Sequence, residues 1–230
     1  MTNELILFIE ILVTFSLLLF MNKIFGKTGV IAWTCIASVL ANIITAKNAI
    51  LFTFPTAIGS VMFASTFLAT DILTEYYSPK DARKAVGMSI CSVIIFIIIS
   101  QISLLYIPSP SDYAHNSMLT LFSLNLRISI SSVVMYALAN MLDIYIFQKL
   151  KNKTHNKMLW LRNNVSTIVC NCLENFLFMF FAFVNIYDLN TIISMAIGTS
   201  IIEIIIAICD TPFLYLAKKF HYTPKLDNYL

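Results

Sequence analysis

Apolar residues in this chain run in long blocks instead of alternating with polar ones. Seven blocks can be marked, at about 5–24, 30–45, 57–77, 85–107, 121–148, 164–187 and 191–217. Each is close to the roughly 20 residues that a helix needs to cross a bilayer. Pro55 interrupts the connection before the third block, where it would end or break a helix. Pro108-Ser109-Pro110-Ser111-Asp112 separates the fourth block from the fifth. The pattern predicts an all-α, polytopic transmembrane helix bundle of about six to seven spans, with residues 1–230 forming a single integral membrane domain. Six full spans would remain if one early segment were re-entrant.

The cationic residues sharpen this reading. Successive connections carry no Lys or Arg, then Lys23 and Lys27, then Lys47 alone, then Lys80, Arg83 and Lys84. The next carries none, the following one Lys149, Lys151, Lys153, Lys157 and Arg162, the next none, and the tail Lys218, Lys219 and Lys225. Rich and poor connections alternate, which by the positive-inside rule predicts seven spans with the N-terminus outside and the C-terminus cytoplasmic. Composition agrees: 59% of the 230 residues are hydrophobic and 12% charged, against roughly a quarter charged in a soluble domain. The net charge of +3 is spread over short connections and is no nucleic-acid footprint. Met1-Thr2-Asn3-Glu4 lacks the basic start of a secretory signal, and Glu10 interrupts the run behind it, so the first block reads as a retained helix. Cys35, Cys91, Cys170, Cys172 and Cys209 all fall in apolar blocks, where thiols behave as small apolar side chains. Cys170 and Cys172 have neither a redox nor a zinc spacing, and His115, His155 and His221 fall outside the spans. The chain is expected to need no metal and no cofactor. It also shows no serine–histidine pair and no paired-aspartate motif, so it is not read as an enzyme.

The acids are where chemistry shows. Glu10, Asp71, Glu75, Asp143, Glu174, Glu203 and Asp210 interrupt apolar blocks, and an ionised acid at the bilayer centre costs about 2.5–3.5 kcal/mol. Such groups are tolerated when they face a polar interior; pairing with Arg127 or Arg162, capping and snorkelling are the structural alternatives. Asp71 and Glu75 stand one helical turn apart and share a face. Asp71, Asp143 and Asp210 each lie near the inner end of an inward-running block, the third, fifth and seventh. Asn140 and Asp143 repeat the three-residue spacing of Asn171 and Glu174. This is either an internal repeat, as many transporters have, or chance. Asn163, Asn164, Ser166, Thr167, Asn171, Glu174 and Asn175 draw a polar stripe along the sixth block. A ligand cavity and interhelical asparagine contacts both account for it. Phe63, Phe67, Phe176, Phe178, Phe180, Phe181 and Phe183 suit either stacking on a planar ligand or bundle packing. Trp33 reads as packing and Trp160 as an interfacial anchor.

The run Phe67-Leu68-Ala69-Thr70-Asp71-Ile72-Leu73-Thr74-Glu75-Tyr76-Tyr77, with Ala82-Arg83-Lys84 behind it, resembles the signature of the queuosine precursor transporter family, also called the vitamin uptake transporter family. Further stretches resemble it in the same order: Arg127 through Ser132 to Asp143, Leu161-Arg162-Asn163-Asn164 with Ser166, Leu173-Glu174, and Cys209-Asp210-Thr211-Pro212-Phe213. The resemblance implies a multi-pass importer of 7-deazaguanine bases in the bacterial plasma (inner) membrane, feeding tRNA modification. This chain departs from the family pattern at Asn140 and Asn171, where glutamine is usual, and at Glu174, where aspartate is usual. Glu203 stands where a basic residue is expected. Such shifts leave the choice between queuosine precursors and queuine open.

The chemistry fits independently of the name. A deazaguanine edge presents a ring N–H and an amine side by side; a carboxylate accepts both, and an amide reads the carbonyl. An aminomethyl arm adds a positive charge for a second carboxylate. Glu174 and Asn171, with Asp143 and Asn140, are therefore expected to form the base pocket, and Asp71 and Glu75 its floor or inner gate. Arg127, Asn163 and Asp210 complete the candidate set. The expected partners are the base and membrane lipid, with no nucleic acid; a homodimer stays open. The alternatives are a substrate-binding subunit energised by a separate module and a proton-coupled carrier of another small solute.

Overall fold

The computed structural model describes residues 2–52, 54–122 and 126–220. The first helix, α1 (Asn3–Ile44), has 42 residues and would span about 63 Å if straight. Yet Asn3 donates to the Ile50 carbonyl at 3.1 Å, and the Phe52 N–H donates to Glu4 at 3.3 Å. The six residues from Ile44 to Ile50 reach only about 20 Å, so α1 must fold back. It does so at Gly26, whose φ of 55° and ψ of −137° leave the helical region. Only glycine adopts such a conformation without strain. Just past the reversal, a Cβ on Gly29 would collide with the Met21 carbonyl and sit 2.8 Å from Phe25 Cβ. The two arms, residues 3–25 and 27–44, correspond to the first two apolar blocks.

A short antiparallel hairpin follows, β1 (Asn48–Leu51) and β2 (Phe54–Ala57), with Leu51 opposite Phe54. It is the one sheet among the described residues, and it corrects the start of the third block: residues 54–57 are strand, and α2 begins only at Ser60. Helix α2 (Ser60–Ile72) passes into a π-helical turn, Leu73–Tyr77. Ser78 then caps α3 (Pro79–Ser103) by accepting from the Lys80 N–H at 3.1 Å, with proline in the first turn. Helix α3 starts six residues before the fourth block because Lys80, Arg83 and Lys84 continue the helix beyond its apolar part. The eight-residue α4 (His115–Phe122) precedes α5 (Leu126–Lys153), so the fifth block begins in a separate helix. Helices α6 (Leu159–Phe183) and α7 (Leu189–Ala217) complete the bundle, followed by a 3-10 turn, Lys218–Phe220. Asp188 caps α7 through the Thr191 N–H and hydroxyl, and those bonds hold its carboxyl below the usual aspartate range.

Among the described residues, five helices, the folded α1 counted once, are long and apolar enough to cross a membrane. The chain is an all-α polytopic bundle, and each of the seven blocks has a helical counterpart. Helix α2 lies at its centre, with nearly every residue buried, and packs on α1, α7, α5 and α3. One end of the bundle carries the hairpin and Asp188. The other gathers the Gly26 reversal, the turn into α3, the α5–α6 connection and the end of α7. Contacts knit this second, basic face together: Lys27 pairs with Asp81 at 3.3 Å, the Tyr77 hydroxyl donates to Asn22 at 2.8 Å, and Lys23 lies over the Phe220 ring. Trp33 packs inside, donating to Ser65 at 3.0 Å, while Trp160 stands exposed on the basic face.

Candidate functional site: a stack of polar layers through the bundle

Polar side chains on α2, α5, α6 and α7 recur at about one-turn intervals and meet in layers. Nearest the hairpin face is a cavity of about 170 Å³. A single water needs roughly 10–15 Å³, so the cavity has room for a small bicyclic molecule. Its walls carry Glu174 and Asn175 from α6, Glu203 from α7, Phe63 from α2, Tyr136 from α5 and Phe178 from α6. Asn175 donates to Glu203 at 2.7 Å and to Ser200 at 3.3 Å, which fixes the buried Glu203 carboxylate. One oxygen of Glu174 has no hydrogen-bond partner. The Tyr136 hydroxyl sits between Ser38 (3.1 Å) and Ser89 (2.9 Å), and its ring meets Phe63 edge-on at 5.6 Å. Among the described residues no Lys or Arg lines the cavity. Two carboxylates and an aromatic corner are chemically suited to a flat ligand with donors or a positive charge.

One turn further toward the basic face, Phe67, Ala139 and Cys170 form a small apolar cluster with Phe63, Leu142 and Ile146 against it. Below this plug lie Asp71, Asp143 and Asp210, all fully buried. Asp71 feels both other carboxylates. Asn163 donates to Asp210 at 2.6 Å and to Thr211 at 3.1 Å, and Asn164 donates to Thr211 at 2.7 Å. Asp71 and Asp143 face each other closely enough to share a hydrogen bond, and the Ser166 and Thr167 hydroxyls turn toward Asp143.

A third layer closes the basic face. Glu75, in the π turn, accepts from Arg162 at 2.5 Å and forms an ion pair with Lys151 at 3.0 Å. Lys151 also donates to the Glu75 backbone carbonyl at 2.9 Å. Arg162 is only 1% exposed; it donates to the Lys157 carbonyl at 3.0 Å and lies over the Phe147 ring. Helices α2, α5 and α6 are thus tied across the end of the stack. Of the structural alternatives raised by the sequence, pairing with Arg162 holds for Glu75 and for no other of these acids.

The candidate residues therefore divide. Glu174 lines the cavity. Asn140, Asp143 and Asn171, expected beside it, do not. Asn140 and Asn171 are buried a turn below, where Asn140 donates to the Tyr136 carbonyl at 3.1 Å and Asn171 has no partner for either amide atom. The reason is helical rise: a three-residue step moves a side chain about 4.5 Å along the axis. Asp71, Asp143, Asp210 and Asn163 meet in the middle layer, and Glu75 belongs to the closing layer. The Arg127 side chain lies outside the described residues. Asn175, Tyr136 and Glu203 belong to the cavity though absent from the candidate set. Asn175 was legible on the polar stripe, and Glu203 as an intramembrane acid. Glu10 lines a smaller cavity of about 120 Å³ with Lys47 under the hairpin.

Comparison with known proteins agrees with a transport bundle. Residues 57–217 match the family described as "Putative vitamin uptake transporter". The chain belongs to the vitamin uptake transporter family. It is 32% identical over 209 residues to a "Probable queuosine precursor transporter" of Bacillus subtilis, covering 90% of this chain and 91% of that one. It is 30% identical over 131 residues to a "Queuosine precursor transporter" of Escherichia coli, covering 56% of each. A "Probable queuosine precursor transporter" of Haemophilus influenzae is 29% identical over 133 residues, or 57% of this chain and 54% of that one. No solved structure matches the chain. Family membership covers α2 to α7, and so all three polar layers.

Proposed function

We propose that this chain imports queuosine precursors, 7-deazaguanine-type bases, across the bacterial plasma membrane. The observation that carries the reading is the cavity: Glu174 and Glu203 face it with no Lys or Arg among its described walls. A deazaguanine edge offers two adjacent donors to Glu174, an aminomethyl arm offers a charge to Glu203, and Phe63, Tyr136 and Phe178 accept the ring plane. The names of the relatives supply the substrate class. The concentration of Lys and Arg on one face supports a cytoplasmic basic face. The cavity, beside the hairpin, then opens outward, and the Glu75–Arg162–Lys151 layer is the closed inner gate. The 230 residues act as one membrane domain, and the chemistry is binding and translocation without bond making.

The test is uptake of a labelled deazaguanine base into cells that cannot make one. Glu174→Gln keeps the shape of the side chain but loses the charge-assisted bonds, each worth roughly 1.5–3 kcal/mol. Uptake should fall at least tenfold with the protein still present in the membrane. Undiminished uptake by that variant would remove Glu174 from the pocket and the reading with it.

A further inference from the structure

The middle layer has properties that neither the cavity nor the gate shares. Asp71, Asp143 and Asp210 come from three different helices and are all fully buried. Arg162, the nearest buried cation, is engaged by Glu75 at 2.5 Å. No Lys or Arg among the described residues pairs with any of the three. Three anions without a counter-charge are not stable together in a low-dielectric interior. Neutral groups are all that meets them: Asp71 and Asp143 face each other, Ser166 and Thr167 turn toward Asp143, and Asn163 donates to one oxygen of Asp210.

Neutral oxygens stand around the same point. Ser166 and Thr167 of α6, both fully buried, turn their hydroxyls toward Asp143. Asn140 Oδ1, one turn above Asp143 on α5, is buried and has no hydrogen-bond partner. Buried carboxylate, hydroxyl and amide oxygens together form an environment for a small cation. The charged and titratable groups facing the layer are Glu75 and Arg162 below, Cys170 beside it and Glu174 above the plug.

We propose that Asp71, Asp143 and Thr167, with Asp210 beside them, bind a monovalent coupling cation, Na⁺ or H⁺, that drives uptake through the cavity above. The site is separated from the cavity by the Phe67–Ala139–Cys170 plug and from the basic face by the Glu75–Arg162–Lys151 tie. An occupied site discharges the acidic layer and lets the helices that carry it move as neutral surfaces. The inference rests on the transport reading but concerns a different set of residues.

The test uses the full chain in liposomes with 7-(aminomethyl)-7-deazaguanine as the labelled probe. One arm imposes an inward Na⁺ gradient at constant pH; the other imposes an inward proton gradient in sodium-free buffer. A tenfold gradient coupled one-to-one supports up to about tenfold accumulation of the base. Accumulation in the first arm assigns Na⁺ to the site, and in the second, H⁺. Asp71→Asn and Asp143→Asn should lose accumulation while retaining base binding and base-for-base exchange within about twofold of the unmodified chain. Accumulation indifferent to both gradients in the unmodified protein overturns the proposal, whatever the variants do. So does gradient-driven accumulation that survives in both variants, or loss of base binding in a folded variant. Failure of Glu174→Gln to affect base binding strikes the cavity reading and leaves the gradient response as a separate result.

Discussion

Replacing Glu75 by Gln should open the basic face. Among the described residues the carboxylate is the one acid shared by Arg162 and Lys151, and its isosteric amide leaves two cations confronting each other. Arg162 is 1% exposed and has no route to water, whereas the Lys151 side chain is 22% exposed and can turn outward. Removing one partner of a buried ion pair costs about 3–5 kcal/mol. The freedom of Lys151 places this case at the lower end, about 3 kcal/mol, or roughly a hundredfold in the closed-to-open equilibrium. The chain contains a reporter for that equilibrium: Cys170 is fully buried, one turn above the acidic layer. With Cys35, Cys91, Cys172 and Cys209 changed to alanine, the labelling rate of Cys170 by a small water-soluble maleimide reads the open population. It should rise roughly a hundredfold in Glu75→Gln, following that equilibrium. The double variant Glu75→Gln/Arg162→Met removes the stranded charge and should return much of the way to the original rate. Arg162→Met alone keeps the Lys151–Glu75 pair and should have a smaller effect than Glu75→Gln. An unchanged rate in Glu75→Gln, or a double variant that labels as fast as the single one, would refute the view that charge pairing closes this face.

Two further perturbations test the cavity and the first reversal. Asn175→Leu leaves the buried Glu203 carboxylate without its 2.7 Å donor, a loss of about 1–3 kcal/mol. Equilibrium binding of the base should weaken by roughly 5- to 150-fold, and unchanged affinity would remove Glu203 from the site. Gly26→Ala forces a side chain onto a φ of 55° and ψ of −137° and should destabilise the bundle by about 1–3 kcal/mol. Gly87→Ala is the control: it lies inside α3 where a Cβ meets nothing within 4 Å, and should stabilise by about 1 kcal/mol. Melting in detergent should shift in opposite directions for the two, and equal shifts would mean that the α1 reversal does not depend on glycine.

The blocks of apolar residues made the spans legible because bilayer thickness sets their length, whatever their partners. The hairpin and the separate helix α4 were hidden because they lie almost wholly in the connections between blocks, where four-residue strands and a two-turn helix are too short to set a pattern of their own. The acids were legible as costly residues, and the common depth of Asp71, Asp143 and Asp210 was visible once alternate spans were seen to run the same way. Which acids share a chamber was not legible. Asn171 and Glu174 share a helical face, but Asn171 lies at the level of the Phe67–Ala139–Cys170 plug and Glu174 about one turn above it, and the members of the plug come from three helices. The pairing of Asn175 with Glu203 likewise depends on the rotation of α6 against α7, which the near-uniform hydrophobicity of α7 does not specify.

What separates the layers is the company their acids keep. In the cavity, Glu203 is held by a neutral amide and Glu174 keeps a free oxygen, an arrangement that leaves charge available to a ligand arriving from the hairpin face. At the basic face, Glu75 is paired with two cations, an arrangement that holds helices together until something weakens it. Asp71 and Asp143 face each other with no cation beside them among the described residues, although they are more deeply buried than Glu75 or Glu174. If permanent stability were the only requirement, a buried arginine one turn higher would serve it, and Arg162 shows that this bundle can accommodate one. A layer that lacks a resident counter-charge, between a receptor cavity and a closed gate, is suited to a charge that enters and leaves with each cycle.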